Sequence, residues 1–163
     1  KTLLESKSQC QPQCNTGYVP SGPMVCEKGK LSQITTCLPQ PCTNWKTPAN
    51  GKEGDCPKSL PSGSSCQPQC KTGYTISGKI TCNMGKPTVV SCNPNPCSTT
   101  KPTNGDWGSC PTKTIQSGKT CQATCNQGYT INGPSTCNAG TFTSGTCKEN
   151  TCQLPANQAT IQP

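Results

Sequence analysis

Seventeen cysteines stand in this chain of 163 residues, and they are the side chains whose type and spacing could do covalent chemistry. A thiol can attack as a nucleophile, bind a soft metal as thiolate, or oxidise to a disulfide. A nucleophilic cysteine needs a neighbouring base, and the chain has no histidine. A zinc site wants paired ligands such as C-x2-C gathered around one point. The tightest spacing here is C-x3-C, at Cys10/Cys14, Cys66/Cys70 and Cys121/Cys125, and the Cys-Cys or Cys-X-Cys runs of a metal-thiolate cluster are missing. Neither a metal nor another cofactor is expected, which leaves disulfides.

The rest of the composition asks for them. Hydrophobic residues make up 28% of the chain and aromatics 4%, beside 17 Pro and 16 Gly, so no ordinary apolar core can form. A module that buries so little surface cannot offset the entropy of ordering its backbone, and covalent bridges do that work instead. Bridges that must form and persist place the chain outside the reducing cytosol, in a secreted or cell-surface setting. Lys1-Thr2-Leu3-Leu4-Glu5 is too short for an export signal, which is expected to be cleaved or to lie outside the stretch given.

The formal net charge of +8 comes from Lys alone, with no Arg. Phosphate and base readers lean on Arg forks and stacking aromatics, so nucleic acid is excluded as a partner. Scattered lysines leave a weak, salt-sensitive attraction to acidic polysaccharide as the charge-driven alternative. No run of 18 apolar residues exists to span a membrane. The Thr99-Thr100-Lys101-Pro102-Thr103 and Pro111-Thr112-Lys113-Thr114 stretches have the composition of O-glycan acceptors.

The cysteines fall into columns with a period close to 55 residues: Cys42, Cys97 and Cys152; Cys14, Cys70 and Cys125; Cys26, Cys82 and Cys137; Cys37, Cys92 and Cys147. Gly17-Tyr18, Gly73-Tyr74 and Gly128-Tyr129 keep the same register. A fixed period of this size means an array of small modules. The expected organisation is an incomplete module over 1–37, complete six-cysteine modules over 42–92 and 97–147, and a tail over 148–163 that starts a further module or docks to another chain. Four-residue, proline-bearing connections at Leu38–Pro41 and Asn93–Pro96 predict a semi-rigid, rod-like array. Local patterning is all-β. Tyr74 to Cys82 reads as a hairpin about Ser77-Gly78, and Asn132-Gly133 marks the same hairpin in the next repeat. The three tyrosines read as small-core residues beside a disulfide, whereas Trp45 and Trp107 break the register and are candidates for contacts between modules or chains.

With these residues assembled, each unit resembles the sushi domain, also called the complement control protein module. The resemblance runs through Cys97, Pro102, Asn104-Gly105, Cys125, Gly128-Tyr129, Gly133, Cys137, Gly140 and Cys147, and in the same order from Cys42 to Cys92. It implies first-to-third and second-to-fourth bridges: Cys42–Cys82, Cys70–Cys92, Cys97–Cys137, Cys125–Cys147 and Cys14–Cys37. The pairs Cys56/Cys66 and Cys110/Cys121 would add a local third bridge to each unit. The family's core tryptophan is absent, its place falling near Leu31, Pro87 or Phe142.

An odd number of cysteines leaves at least one without a partner in the chain. The register singles out Cys26 and Cys152, with Cys10 unassigned. One reading is a stretch cut from a longer array. The other is a Cys152–Cys26 bridge between chains, the tail of one copy completing the head of the next and building a filament. Catalysis is not expected, for want of a base, a recurring carboxylate pair or a phosphate loop. The main functional expectation is an extracellular structural or adhesive rod whose partners are other copies of itself. The alternative is a receptor-type recognition module for a cell-surface protein or acidic glycan. A rod predicts near-identical modules, whereas a receptor predicts one module carrying a divergent exposed patch.

Overall fold

The computed structural model describes residues 4–153. Residues 154–163 of the expected tail and 1–3 of the head lie outside the described residues. The chain is all-β, a small disulfide-rich fold built from strands of two to four residues. It divides into two compact units, Lys1–Lys71 with Ile76–Asn93, and Thr72–Thr75 with Pro94–Pro163. These bounds differ from the sequence repeat. The head and the second repeat share the first unit, and the Gly73-Tyr74 segment of the second repeat belongs to the second unit.

In the first unit, Gln9–Cys10, Met24–Glu27 and Lys30–Gln33 form a three-stranded sheet, and Tyr18–Pro20 pairs with Cys37–Pro39. The second repeat has the same three-stranded arrangement in Ser65–Cys66, Ile80–Asn83 and Lys86–Pro87. It adds a pairing of Gly51–Lys52 with Gln69–Cys70 and an isolated bridge between Cys42 and Leu60. In the second unit, Thr120–Cys121, Ser135–Asn138 and Thr141–Thr143 make the corresponding sheet. There Cys97–Ser98 pairs with Thr114–Ile115, so Cys97 lies opposite Ile115 as Cys42 lies opposite Leu60.

The tight hairpins are not where the turn residues of the sequence suggest. Tyr129–Asn132 pairs with Thr146–Glu149, and Tyr74–Ile76 with Cys92–Pro94, so Ser77-Gly78 and Asn132-Gly133 carry the chain from one sheet to the next. The two-residue turns are Lys28-Gly29, Met84-Gly85 and Ala139-Gly140, with both φ angles positive at each (48° and 75°, 48° and 80°, 44° and 79°). Positive φ at both central positions matches the right-handed twist of the flanking strands. A second signal, Asn-Gly, misleads here because cystines on both sides already fix which strands meet.

Cystine sulfur supplies most of the core. In the second repeat the buried set is Cys42, Cys56, Leu60, Cys66, Ile80 and Cys82, with Trp45 and Val90 packed on it. In the third it is Cys97, Ile115 and Cys137, with Phe142 against it. Pro87 and Phe142 lie directly opposite Cys82 and Cys137, and Leu31 opposite Cys26, although Leu31 is half exposed. Tyr18, Tyr74 and Tyr129 are half-buried and stand outside both clusters.

Candidate functional site

Seven disulfides hold the described residues: Cys14–Cys37, Cys42–Cys82, Cys56–Cys66, Cys70–Cys92, Cys97–Cys137, Cys110–Cys121 and Cys125–Cys147. Cys10, Cys26 and Cys152 are free; Cys26 is buried, Cys10 half-buried and Cys152 exposed. Asp55, Cys56 and Cys66 come close enough to suggest a metal site. Both sulfurs are tied in one bridge and the Asp55 carboxylate accepts the Gln67 N–H, so the trio has no thiolate to offer.

The second repeat departs from the third at its surface around Trp45. Its indole packs on the cystine cluster of its own repeat, and its Nε1–H donates to the Pro57 carbonyl at 2.9 Å. The third repeat closes the same loop with a hydroxyl, Thr99 Oγ1 donating to the Pro111 carbonyl at 2.7 Å. Trp45 therefore performs a local packing role and adds a large half-buried ring. Two clefts flank that ring. One is lined by Trp45 with Lys46, Thr88, Val89 and Val90, and the other by Trp45 with Thr43, Thr47, Glu53 and Lys58. Val89 is 96% exposed, the largest exposure of any big apolar side chain described. The third repeat has Ser144 and Gly145 where Val89 and Val90 stand, and Gly145 is buried over the Gly133 carbonyl.

Trp107, the other out-of-register indole, is half-buried. The Trp107 backbone N–H donates to the Asp106 carboxylate at 2.8 Å and its carbonyl accepts the Cys110 N–H, so its backbone forms the turn that presents Cys110. The O-glycan reading fails at Thr99, which is buried with its hydroxyl engaged. Thr100, Thr103, Thr112 and Thr114 are exposed.

A second arrangement recurs along the chain. The carbonyl of Gly17 accepts the Gln40 N–H at 2.8 Å, that of Gly73 the Asn95 N–H at 2.8 Å, and that of Gly128 the Asn150 N–H at 2.8 Å. Each glycine has φ +87°. A β-carbon on Gly17 would strike Met84, and one on Gly73 would strike the Ala139 carbonyl; one on Gly128 would meet nothing within 4 Å. In two of three cases the glycine is thus seated on a two-residue turn. The sequence showed Gly-Tyr as a column but gave no sign that the glycine seats a turn some 65 residues away.

Among the described residues, no helix is long and apolar enough to cross a membrane. No family model matches the chain. E-selectin of Rattus norvegicus is 28% identical over 169 residues, which cover 94% of this chain and 30% of that protein. The chain thus spans less than a third of the length of this curated relative. That likeness, together with an all-β chain held by seven disulfides, is consistent with sushi-like modules.

Proposed function

We propose that this chain is a non-enzymatic, extracellular recognition module of the adhesion type, and that the Trp45 face of its second repeat contacts an acidic glycan on a cell surface. The observation that carries the reading is the divergent patch. An indole and an almost fully exposed valine meet beside the lysines Lys46 and Lys58 on one repeat, whereas the corresponding cleft of the next repeat keeps a lysine, Lys101, but has Ser144 and Gly145 in place of Val89 and Val90 and no aromatic ring. An aromatic face with adjoining cations suits a sugar ring that carries a carboxylate or sulfate, the ring stacking on the indole while the lysines meet the charge. The likeness to a selectin, an adhesion receptor, supports a cell-surface setting for that contact.

The test is retention on immobilised heparin against neutral dextran at 0.15 M salt. Lys46→Glu with Lys58→Glu should abolish retention and Val89→Ser should weaken it, with thermal stability unchanged in both. Equal retention of wild type and both variants would reject the patch, and binding to a deglycosylated cell-surface protein fraction alone would replace glycan by protein as the ligand.

A structural or adhesive rod is the second reading, favoured by the recurrence of the glycine seat at Gly17 and Gly73. It requires modules to join end to end.

A further inference from the structure

Asparagine stands before glycine at Asn50-Gly51, Asn104-Gly105 and Asn132-Gly133. In such a pair the glycine nitrogen can attack the asparagine side-chain carbonyl carbon, because no β-carbon on the glycine shields the approach and its backbone turns freely. The connecting peptide must rotate until that nitrogen reaches Cγ. The fold decides where this rotation is open.

Two of the pairs are locked. The Asn50 carbonyl accepts the Lys71 N–H at 2.8 Å and the Gly51 N–H donates to the Pro48 carbonyl at 3.0 Å, so rotating the peptide between them breaks both bonds. Gly51 is also hemmed in: a β-carbon there would stand 2.8 Å from the Pro48 ring and 3.1 Å from the Cys92 Sγ. Asn104-Gly105 repeats the arrangement. The Asn104 carbonyl accepts the Asn126 N–H at 2.8 Å. A β-carbon on Gly105 would strike the Thr124 carbonyl and stand 2.8 Å from the Cys147 Sγ and 2.9 Å from the Pro102 ring. Cys92 and Cys147 are bridged to Cys70 and Cys125, the residues that lie opposite Gly51 and Gly105 in their strand pairs, so these walls do not give way.

The third pair is open. Asn132 and Gly133 are both exposed, and nothing lies within 4 Å of a β-carbon built on Gly133 at φ +80°. Among the described residues neither the Gly133 N–H nor the Asn132 side-chain amide has a hydrogen-bond partner. The other two repeats carry serine at this corner, with its side chain engaged: the Ser21 Oγ accepts the Thr36 N–H at 3.1 Å and the Ser77 Oγ the Ser91 N–H at 2.9 Å. Asn132 opposite Thr146 is the last pair of its ladder, where local opening costs least.

We propose that Asn132 is a site of spontaneous deamidation and isoaspartate formation in the folded chain, and that the fold keeps Asn50 and Asn104 from the same reaction. Hydroxide takes the Gly133 N–H proton, the nitrogen bonds to the Asn132 Cγ, and the side-chain nitrogen leaves as ammonia with a proton from water, closing a cyclic succinimide. Water then opens the ring. Opening at the former main-chain carbonyl routes the backbone through Cβ and gives isoaspartate, whereas opening at Cγ gives aspartate. Water and hydroxide are the only co-reactants, and no electron is transferred. Both products place a carboxylate at the corner. Isoaspartate also lengthens the main chain by one carbon between the Asn132–Thr146 pair and the Gly133 carbonyl that lies against Gly145. The end of that ladder should loosen with age while the bridge to Cys125 keeps Cys147 anchored. The site lies on a different repeat from Trp45, and neither inference stands on the other.

The full oxidised chain is aged in mildly alkaline buffer. Isoaspartate is counted with protein isoaspartyl methyltransferase and labelled S-adenosylmethionine, and is placed by peptide mapping after reduction. Asn132 should convert at least about tenfold faster than Asn50 or Asn104, a barrier difference of about 1.4 kcal/mol, and faster still as pH rises. In the chain reduced and unfolded in denaturant the three should converge, since each then has only its glycine neighbour to set the rate. Asn132→Ser, which installs the residue of the other two repeats, should remove most of the label from the folded chain. Should that variant misfold, the comparison of folded with unfolded wild type decides alone. Equal rates at the three sites in the folded chain, faster conversion at Asn50 or Asn104, or an Asn132 that reacts only when unfolded would overturn the proposal.

Discussion

Gly17 lies so close to Met84 that a β-carbon on the glycine would stand 2.9 Å from the Met84 Cβ. The contact joins the head to the second repeat within the first unit. Gly63, at φ +83° with nothing within 4 Å, has the same backbone demand without the neighbour. Gly63→Ala should therefore cost about 1–2 kcal/mol, the strain of a left-handed alanine, and Gly17→Ala clearly more. Chemical denaturation of the two variants, compared at fixed redox conditions, reads the difference. Equal losses would mean that Met84 swings away at no cost.

Ile80 is 1% exposed inside the cystine cluster, and Ile34 is 78% exposed. Ile80→Ala should destabilise by about 2–4 kcal/mol, because little surrounds the site that could collapse into the gap. Ile34→Ala should stay within about 0.5 kcal/mol of wild type. Paired thermal melts check both.

The bridges should differ in worth. Cys42–Cys82 closes a separation of 40 residues and Cys56–Cys66 one of 10. Loop entropy alone makes the first worth about 4 kcal/mol and the second about 3. Double replacement by serine should rank the variants in that order in denaturant midpoint. The reverse order would assign the local bridge a role in native packing beyond chain entropy.

Ala139 holds φ +44° in a turn that prefers glycine or asparagine. Ala139→Asn should raise stability by about 0.5–1 kcal/mol, seen as a higher melting temperature under oxidising conditions. A fall would indicate that the larger side chain collides with the Gly73 segment, which lies beside it.

The sequence reads as an all-β, disulfide-rich chain because cysteine columns and the shortage of apolar residues leave no other way to stabilise it. Strand partners were less legible. Tyr74 and Ile80 look like two arms of one hairpin, yet they lie in different sheets, since bridges at Cys70 and Cys82 pull the segments apart. The turn at Met84-Gly85 has no sequence mark beyond one glycine, because Met is a poor sign of a left-handed backbone. Trp45 was visible as an irregularity; its place between two clefts depends on Val89 and Lys58, which are 44 and 13 residues away and carry no signal of their own.

A core made of cystine has a thermal consequence. Unfolding with the bridges intact would expose little hydrocarbon to water, so the heat-capacity change should fall below the usual value of about 12–15 cal/mol/K per residue. The stability curve should then be broad and flat. Such a chain would lose little in the cold and refold after heating, and its practical limit would be set by reductant rather than by temperature.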